Sequence, residues 1–246
     1  MVITDEEREF MTRSFPFLPY WFINVFLRGF RFNPAELTIS QDEEGHLDIR
    51  VKGKWWSTII WEMPILATIS ELMHTLNGDM AKYDAEAEWE KSLQKGRRIW
   101  ENGLTLGDMG TRRRFSFDHH ERVIDALIQS YAEVYEQTGG RCGKFTGTSN
   151  VYLAMKKNIP CLGTMSHQCI SFEENVSGVF ECNYNVMNKW SEVYDGNVGI
   201  FLYDCFGDRV FFNNLSKRMA MTFCGLRIDS GVEEEQVDLI VEKYKQ

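Results

Sequence analysis

The amino-terminal part of the chain contains one long apolar stretch followed by a short hairpin pattern. Residues 15–27 are dense in aromatic side chains. They include too few polar positions for an exposed helix, so this stretch should be buried or should cover a partner. The apolar segments 37–39 and 47–51 flank a polar turn that ends in Gly45. This arrangement predicts a β-hairpin.

Two helices are predicted after the hairpin. Residues 59–74 predict a strand that leads into a helix, with Pro64 near the helix start, where a missing N–H is tolerated. A second, charged helix is predicted over 81–101. We therefore interpret residues 1–103 as a partial accessory domain built from a β-hairpin and helices.

From residue 104 onward, β-rich segments alternate with helical stretches. The predicted strands lie at 104–108, 143–147, 161–165, 198–203 and 222–227. The predicted helices lie at 115–137, 149–158, 166–190 with breaks, 208–218 and 233–245. Strand followed by helix, repeated five times, predicts parallel βα units. The expected class is α/β, with residues 104–246 forming a partial βα barrel.

A polar or glycine-containing motif follows each predicted strand. Ligands gather at the carboxyl ends of strands in such folds, so we expect the five motifs to form one site. The segment 110–114 (GTRRR) is the only dense basic cluster and predicts a phosphate clamp, with a solvated charge run as the alternative. The segment 147–150 (GTSN) predicts either an anion-binding helix N-terminus or a plain helix cap.

The five histidines differ in their surroundings. His167 follows a predicted strand end and is available for nucleophilic or acid–base chemistry, although a lone histidine is more often structural. His119 and His120 are expected on the outward side of a helix and solvated. His46 lies in the hairpin and His74 ends an apolar helix. Metal-ligand spacing such as H-E-x-x-H is absent, so no dedicated protein metal site is expected.

Arg227 and Asp229 end the last predicted strand. Alternation along a strand directs both side chains to the same face. The pair could hold a phosphate and a ribose diol, or it could be a satisfied salt bridge. Asp204, after the fourth predicted strand, is a second carboxylate at the same level.

Composition narrows the class of protein. The 246 residues are 43% hydrophobic and 26% charged, as in a soluble globular protein, and the net charge of -9 argues against nucleic-acid or acidic-membrane binding. No apolar run reaches the length of a membrane span, and the acidic start lacks a secretory signal. Six scattered cysteines without a C-x-x-C pair indicate free thiols in a reducing cytoplasm, with disulfides or a zinc site as the alternative.

Several of these motifs together resemble the nicotinate phosphoribosyltransferase family. The carboxyl-terminal ones are 110–116 (GTRRRFS), 145–151 (FTGTSNV), 162–167 (LGTMSH) and 225–231 (GLRIDSG). The amino-terminal ones are 30–34 (FRFNP), 47–50 (LDIR) and 61–71 (WEMPILATISE). They occur in the family's order and cover most of the chain.

The resemblance implies a type II phosphoribosyltransferase fold, in which a β-rich accessory domain packs on an irregular, TIM-like α/β barrel. It implies that nicotinate and phosphoribosyl pyrophosphate give nicotinate mononucleotide and pyrophosphate, the first step of nicotinate salvage into NAD. ATP hydrolysis would be coupled through a phosphohistidine, and Mg²⁺ would arrive with the pyrophosphate. The family usually forms dimers, so a homodimer or a complementary chain is the expected partner.

The resemblance also implies roles for particular residues. His167 would be the phosphorylated, catalytic histidine, assisted by Asp229. Arg112 would hold phosphoribosyl pyrophosphate. The residues implied near the pyridine base are Gly110, Thr111, Thr148 and Ser149. The residues implied at phosphate and ribose hydroxyls are Arg227, Asp229, Ser230 and Gly231, with Asp204 in support.

The chain departs from the family pattern in three respects. Gln168 replaces the glutamate that usually follows the histidine, and Val232-Glu233 replaces the usual Asp-Pro. The family's Asp-x-Tyr-Lys segment and its later strands have no counterpart. Two alternatives to an active enzyme for nicotinate therefore stay open: a nicotinamide-specific enzyme, which Ser149 disfavours, and an inactive fragment that binds a ligand or partner.

Overall fold

The computed structural model describes residues 3–195 and 197–245 and divides the chain into two compact units, Met1–Leu162 and Gly163–Gln246. Each unit has its own hydrophobic core. The predicted division after residue 103 stays a prediction.

The first unit contains six α-helices and four strands in its described part. The helices are α1 (Asp5–Ser14), α2 (Trp55–Thr58), α3 (Glu62–Leu76), α4 (Ala85–Glu101), α5 (Phe117–Thr138) and α6 (Val151–Lys157). The strands are β1 (Leu37–Gln41), β2 (Leu47–Val51), β3 (Thr105–Asp108) and β4 (Lys144–Thr148). β1 and β2 pair antiparallel, which confirms the predicted hairpin.

The aromatic stretch near the amino terminus is more exposed than its sequence predicts. Residues Phe22–Leu27 form a π-helical turn in which only Ile23 is buried. Tyr20 and Trp21 are 77% and 59% exposed, so the prediction that this stretch is buried is wrong for these two residues within the unit. Coverage by a partner stays a prediction.

The predicted strand at the start of 59–74 is wrong. Residues Ile59–Trp61 form a 3₁₀ turn that continues from α2 into α3. The turn is held by Glu36, whose Oε2 accepts hydrogen bonds from Ser57 Oγ at 2.8 Å and from Trp61 Nε1 at 3.1 Å. Pro64 is tolerated in the first turn of α3, where no helical N–H partner is needed.

β3 and β4 pair in parallel, and their register shifts between Leu106 and Asp108. Gly147 lies at this irregularity with a φ of +107°, and a Cβ there would lie 1.9 Å from the Pro160 carbonyl oxygen. The predicted strand 161–165 is wrong, because only Cys161 forms a bridge, to Thr148. Pro160 supplies no N–H to extend the ladder.

Helices α4 and α5 form the core of the first unit. Trp100 is fully buried, and its Nε1 donates to Ser130 Oγ at 3.0 Å. The helices approach closely at Gly96, where a Cβ would meet Ser130 Oγ at 2.1 Å. Ile124 and Leu153 complete the buried contact beneath β4. The charged helix predicted over 81–101 is therefore confirmed as α4, with its apolar face buried.

The second unit contains five α-helices and two strands in its described part. The helices are α7 (His167–Ser177), α8 (Cys182–Tyr194), α9 (Asp208–Asn214), α10 (Lys217–Thr222) and α11 (Glu233–Lys245). The strands β5 (Ile200–Leu202) and β6 (Gly225–Arg227) pair in parallel. Phe201, Tyr203 and Phe211 pack in a buried aromatic core.

Four of the five strands predicted from residue 104 onward are present in the described residues as β3 to β6, and each is followed by a helix. None of the described helices combines the length and the apolar character that a membrane crossing needs. All six cysteines are free, which confirms that part of the composition analysis.

Gly147→Ala should destabilise the first unit by about 3 kcal/mol, because an added Cβ forces both a strained φ and a clash with backbone. Urea unfolding monitored by tryptophan fluorescence measures this loss. Gly29→Ala is the matched control, since its Cβ meets nothing within 4 Å. Equal stability of the two variants would contradict the close approach at Gly147.

Candidate functional site

Asp108 joins the carboxyl ends of β3 and β4. Its Oδ2 accepts hydrogen bonds from Thr148 Oγ1 at 2.6 Å and from His120 Nε2 at 2.9 Å. Its Oδ1 accepts from the Gly110 N–H at 3.1 Å, and its main-chain oxygen accepts from the Ser149 N–H at 2.8 Å. One residue thus fixes both the GTRRR turn and the GTSN turn.

The Asp108 carboxylate is stabilised in its ionised form. Burial alone would raise its pKa, but the hydrogen bonds from His120 and Thr148, together with the charge of His120, outweigh that effect and lower the pKa. The carboxylate is therefore a fixed anion beneath the two turns.

The two turns are also joined directly. Asn150 caps α6 by accepting from the Leu153 N–H at 3.1 Å, and its Nδ2 donates to Thr111 Oγ1 at 3.2 Å. The Asn150 N–H in turn donates to Thr148 Oγ1 at 3.0 Å. The structure therefore brings together the predicted residues Gly110, Thr111, Thr148 and Ser149.

The arginine segment is paired with α3 rather than being a simple solvated run. Arg112 Nη1 lies 3.0 Å from Glu62 Oε1, and this pair is partly exposed. Arg114 Nη2 lies 3.4 Å from Glu71 Oε2, and its guanidinium stacks 5.1 Å from the Phe117 ring. Arg112 is therefore held at the surface of the turn, with part of its guanidinium accessible to a ligand.

His120 was expected to be solvated, and that is wrong. It is 4% exposed and shares one face of α5 with Ile124 and Leu127, at the i, i+4 and i+7 spacing of a buried stripe. That spacing is the sequence signal that could have identified it. His119 is half-buried, and its Nδ1 lies 2.9 Å from Tyr83 Oη.

The second cluster of predicted residues lies in the second unit. His167 is the first residue of α7, and its Nε2 lies 3.3 Å from Asp204 Oδ1 and 3.6 Å from Asp229 Oδ2. Ser230 Oγ donates to Asp204 Oδ2 at 2.7 Å. Gly231 follows with a φ of +92°, which turns the chain into α11. An imidazole beside two carboxylates can hold a positive charge or accept a covalent group.

Arg227 is positioned by both its neighbours and its strand. Its Nη2 lies 2.8 Å from Asp229 Oδ1, and its Nη1 donates to Thr164 Oγ1 at 2.6 Å. The salt bridge that the sequence allowed is therefore present. Thr164 was part of a recognised motif but was not predicted to contact Arg227, because sequence spacing cannot show a contact between distant loops.

Cys205 and Tyr203 flank Asp204 in the loop after β5. Burial, and next the charge of Asp204, raise the pKa of the Cys205 thiol to about 12. The same two causes raise the pKa of Tyr203, whose hydroxyl donates to Gln236 Oε1. The expectation that all five motifs form one site stays a prediction, because they lie in two compact units.

The chain combines parallel βα units with the GTRRR turn and with a histidine between carboxylates at strand ends. This combination defines an α/β protein of the type II phosphoribosyltransferase fold. A family model described as the nicotinate phosphoribosyltransferase (NAPRTase) family matches residues 104–246, and one for its N-terminal domain matches residues 1–70. The chain belongs to the nicotinate phosphoribosyltransferase family.

Individual relatives agree with this assignment. The chain is 35% identical to a nicotinate phosphoribosyltransferase of Methanosarcina mazei, over 98% of the chain and 60% of the relative. It is 37% identical to one of Chromohalobacter salexigens, over 92% of the chain and 55% of the relative. The crystal structure of a nicotinate phosphoribosyltransferase from Porphyromonas gingivalis superimposes with a TM-score of 0.91 at 40% identity, covering 100% of the chain and 60% of that structure. The chain therefore spans 55–60% of the length of these relatives.

Asp108→Asn should lower the free energy of unfolding by about 2 kcal/mol at pH 7, because a charge-assisted acceptor is lost. The lowered pKa of Asp108 means that its ionised form stabilises the fold fully above its ordinary pKa of 3.8. That stabilisation is lost as the pH falls through the lower folded-state pKa. Urea unfolding from pH 7 to pH 3 should therefore show the difference between wild type and variant shrinking below about pH 4.

The exposed Asp118 on α5 supplies the control for this measurement. Asp118→Asn should cost less than about 1 kcal/mol. A wild-type advantage over Asp108→Asn that stays constant down to pH 3 would contradict the ionised carboxylate.

Proposed function

We propose that this chain, with the further length that its relatives have, catalyses nicotinate phosphoribosyl transfer. Nicotinate and phosphoribosyl pyrophosphate give nicotinate mononucleotide and pyrophosphate, with ATP hydrolysed to ADP and phosphate. The observation that carries the proposal is His167, held 3.3 Å and 3.6 Å from two carboxylates beside Arg227. Family membership supports the same assignment.

The transfer step needs positioning and charge neutralisation more than proton transfer. The pyridine nitrogen of nicotinate forms a bond to the anomeric carbon, and the bond from that carbon to pyrophosphate breaks, with its electron pair leaving on pyrophosphate. The anomeric carbon gains oxocarbenium character, which fixed groups around the ribose stabilise. Arg112 would bind the phosphates, while Arg227, Asp229, Ser230 and Gly231 would bind phosphate and ribose hydroxyls.

The GTSN turn supports a place for the base. Thr148 and the Ser149 N–H are both tied to Asp108, which fixes the turn. Gly110 and Thr111 are held to the same network. An acidic residue at position 149 would repel the nicotinate carboxylate, whereas Ser149 can donate a hydrogen bond to it. The acid is therefore favoured over nicotinamide.

ATP coupling would run through His167. The imidazole nitrogen attacks the γ-phosphorus, ADP leaves, and the proton of the imidazole passes to a nearby base; water later releases phosphate from the histidine. Asp204 and Asp229 lie on the Nε2 side and would stabilise positive charge on the ring. Gln168 stands where the family usually has a carboxylate, so these two aspartates carry the electrostatic role.

The Asp229 carboxylate also fits Mg²⁺. It supplies the hard oxygen donors that the ion prefers, and its side chain is 33% exposed, so it can reach an ion that arrives with the substrate. Mg²⁺ would neutralise charge on the leaving pyrophosphate and would keep most of its water. A cytoplasmic location and a homodimer, or a complementary chain, are part of the same proposal.

His167→Ala should abolish the ATP-dependent part of nicotinate mononucleotide formation and leave ATP-independent turnover measurable. The variant removes the only group proposed to accept the phosphoryl. The assay compares product formed with and without ATP, using the chain together with the segments that complete the enzyme. His46→Ala, in the exposed hairpin, is the matched control and should behave as wild type. ATP stimulation that survives in His167→Ala would refute the role of His167.

Arg112→Ala should weaken phosphoribosyl pyrophosphate binding about 10- to 100-fold, the loss expected for a charge-assisted contact. Calorimetric titration of the reconstituted protein measures the dissociation constant. The exposed neighbour Arg113 provides the control. Arg113→Ala should change the dissociation constant for phosphoribosyl pyrophosphate less than about threefold. Equal losses at both arginines would indicate general charge attraction. Binding without any turnover of nicotinate in wild type would instead support the ligand-binding fragment.

A further inference from the structure

Three side chains that commonly bind metals meet at the carboxyl end of β5. His167 lies at the start of α7, whereas Asp204 and Cys205 lie in the loop after β5. One ring nitrogen of His167, one carboxylate oxygen of Asp204 and Cys205 Sγ provide three ligand atoms that all lie within 4.8 Å of one another. The histidine is far from the other two in sequence, which explains why ligand spacing along the chain did not reveal the group.

The separation of the imidazole and the carboxylate is near that of two ligands of a tetrahedral ion. Ligand bonds of about 2.0–2.3 Å place neighbouring ligand atoms roughly 3.4–3.7 Å apart. His167 Nε2 and Asp204 Oδ1 are already 3.3 Å apart. Small side-chain adjustments would bring the sulfur to the same spacing, because Cys205 adjoins Asp204 on one loop.

One buried oxygen of the cluster lies near the imidazole but lacks a hydrogen bond within the described part of the chain. The Asp204 side chain is 9% exposed, and its Oδ1 is buried without accepting a hydrogen bond from any described residue. Its other oxygen accepts from Ser230 Oγ at 2.7 Å. Buried carboxylate oxygens normally have a donor. Oδ1 instead points toward His167 with its lone pairs available to a cation.

The donor types select the ion. A sulfur, an imidazole nitrogen and a carboxylate oxygen suit Zn²⁺ rather than Mg²⁺, which prefers oxygen ligands alone. His167 is 43% exposed, so solvent can reach the cluster and supply a fourth ligand. Three protein ligands with one position open to water are typical of an accessible zinc site.

We propose that His167, Asp204 and Cys205 form a binding site for Zn²⁺ or a similar soft divalent ion. On binding, the Cys205 thiol releases its proton to solvent and the thiolate bonds to the metal, while the imidazole binds through Nε2. No change in oxidation state is involved.

The site has a regulatory consequence, which rests on the proposed function. A metal on Nε2 would engage the Asp204 carboxylate that is proposed to stabilise positive charge on the phosphorylated ring, and its own positive charge would disfavour that ring charge. Zn²⁺ would therefore inhibit the ATP-coupled step while leaving Arg112 and the GTSN turn unaltered. Metal binding itself does not depend on this consequence.

Titration of the chain with Co²⁺ tests the site without any substrate. Wild type should develop visible d–d bands and a near-ultraviolet sulfur-to-cobalt charge-transfer band at one equivalent, and Zn²⁺ should displace both. Cys205→Ser should lose the charge-transfer band. Cys224→Ser, at an exposed cysteine in the same unit, should retain it. A charge-transfer band that persists in Cys205→Ser, or that is absent in wild type, overturns the proposal.

A second variant covers the case in which Cys205→Ser does not fold, which far-ultraviolet circular dichroism would reveal. His167→Gln changes a partly exposed side chain and should raise the Zn²⁺ dissociation constant at least about tenfold in competition with a chromophoric chelator. An unchanged constant contradicts the site. Inhibition of ATP-coupled turnover by Zn²⁺ is measured separately, so failure of the enzyme assay leaves the spectroscopic result intact.

Discussion

The anchoring of two turns by one partly buried carboxylate is the constraint on which the first cluster depends. Short parallel strands provide few ladder hydrogen bonds, and the β3–β4 pair is further interrupted at its register shift. Asp108 compensates at the point where the ladder fails, since its carboxylate and main-chain oxygen accept four hydrogen bonds from residues on β4, α5 and the two following turns. The positions of Thr111 and Ser149 follow from that anchor.

The second cluster depends on electrostatics of a different kind. Here the carboxylates are paired unequally, because Asp229 lies against the Arg227 guanidinium whereas Asp204 lies against the His167 imidazole and the Ser230 hydroxyl. Asp229 is thus paired with a permanently charged group, whereas Asp204 is followed directly by the Cys205 thiol in the loop after β5.

Sequence patterns predicted the parts of this structure that depend on local spacing. The hairpin, α4 and four of the predicted βα units follow from periodicity, and His167, Asp204 and Arg227 were proposed as site residues because ligands gather at strand ends. The patterns failed where contacts between segments distant in sequence determine whether a residue is buried or joins the sheet. His120 is polar but buried, because its Nε2 is paired with Asp108, which lies on another element. Of residues 161–165, only Cys161 joins the sheet, through a single bridge to Thr148. The Asp108 partner of His120 is not visible in a window of neighbouring residues on α5.

The ion pair between Arg112 and Glu62 bears on how tightly the GTRRR turn can bind an anion. A guanidinium that shares its donors with Glu62 gives up part of that contact to any anion that binds it bidentately. If Arg112 binds the phosphates as proposed, anion affinity and the attachment of the α3 start are thermodynamically linked, and the linkage is reciprocal. A change that weakens the Arg112–Glu62 contact would then strengthen anion binding, and a bound anion would weaken the attachment of α3. Glu62 would compete with the ligand for the guanidinium that it also positions.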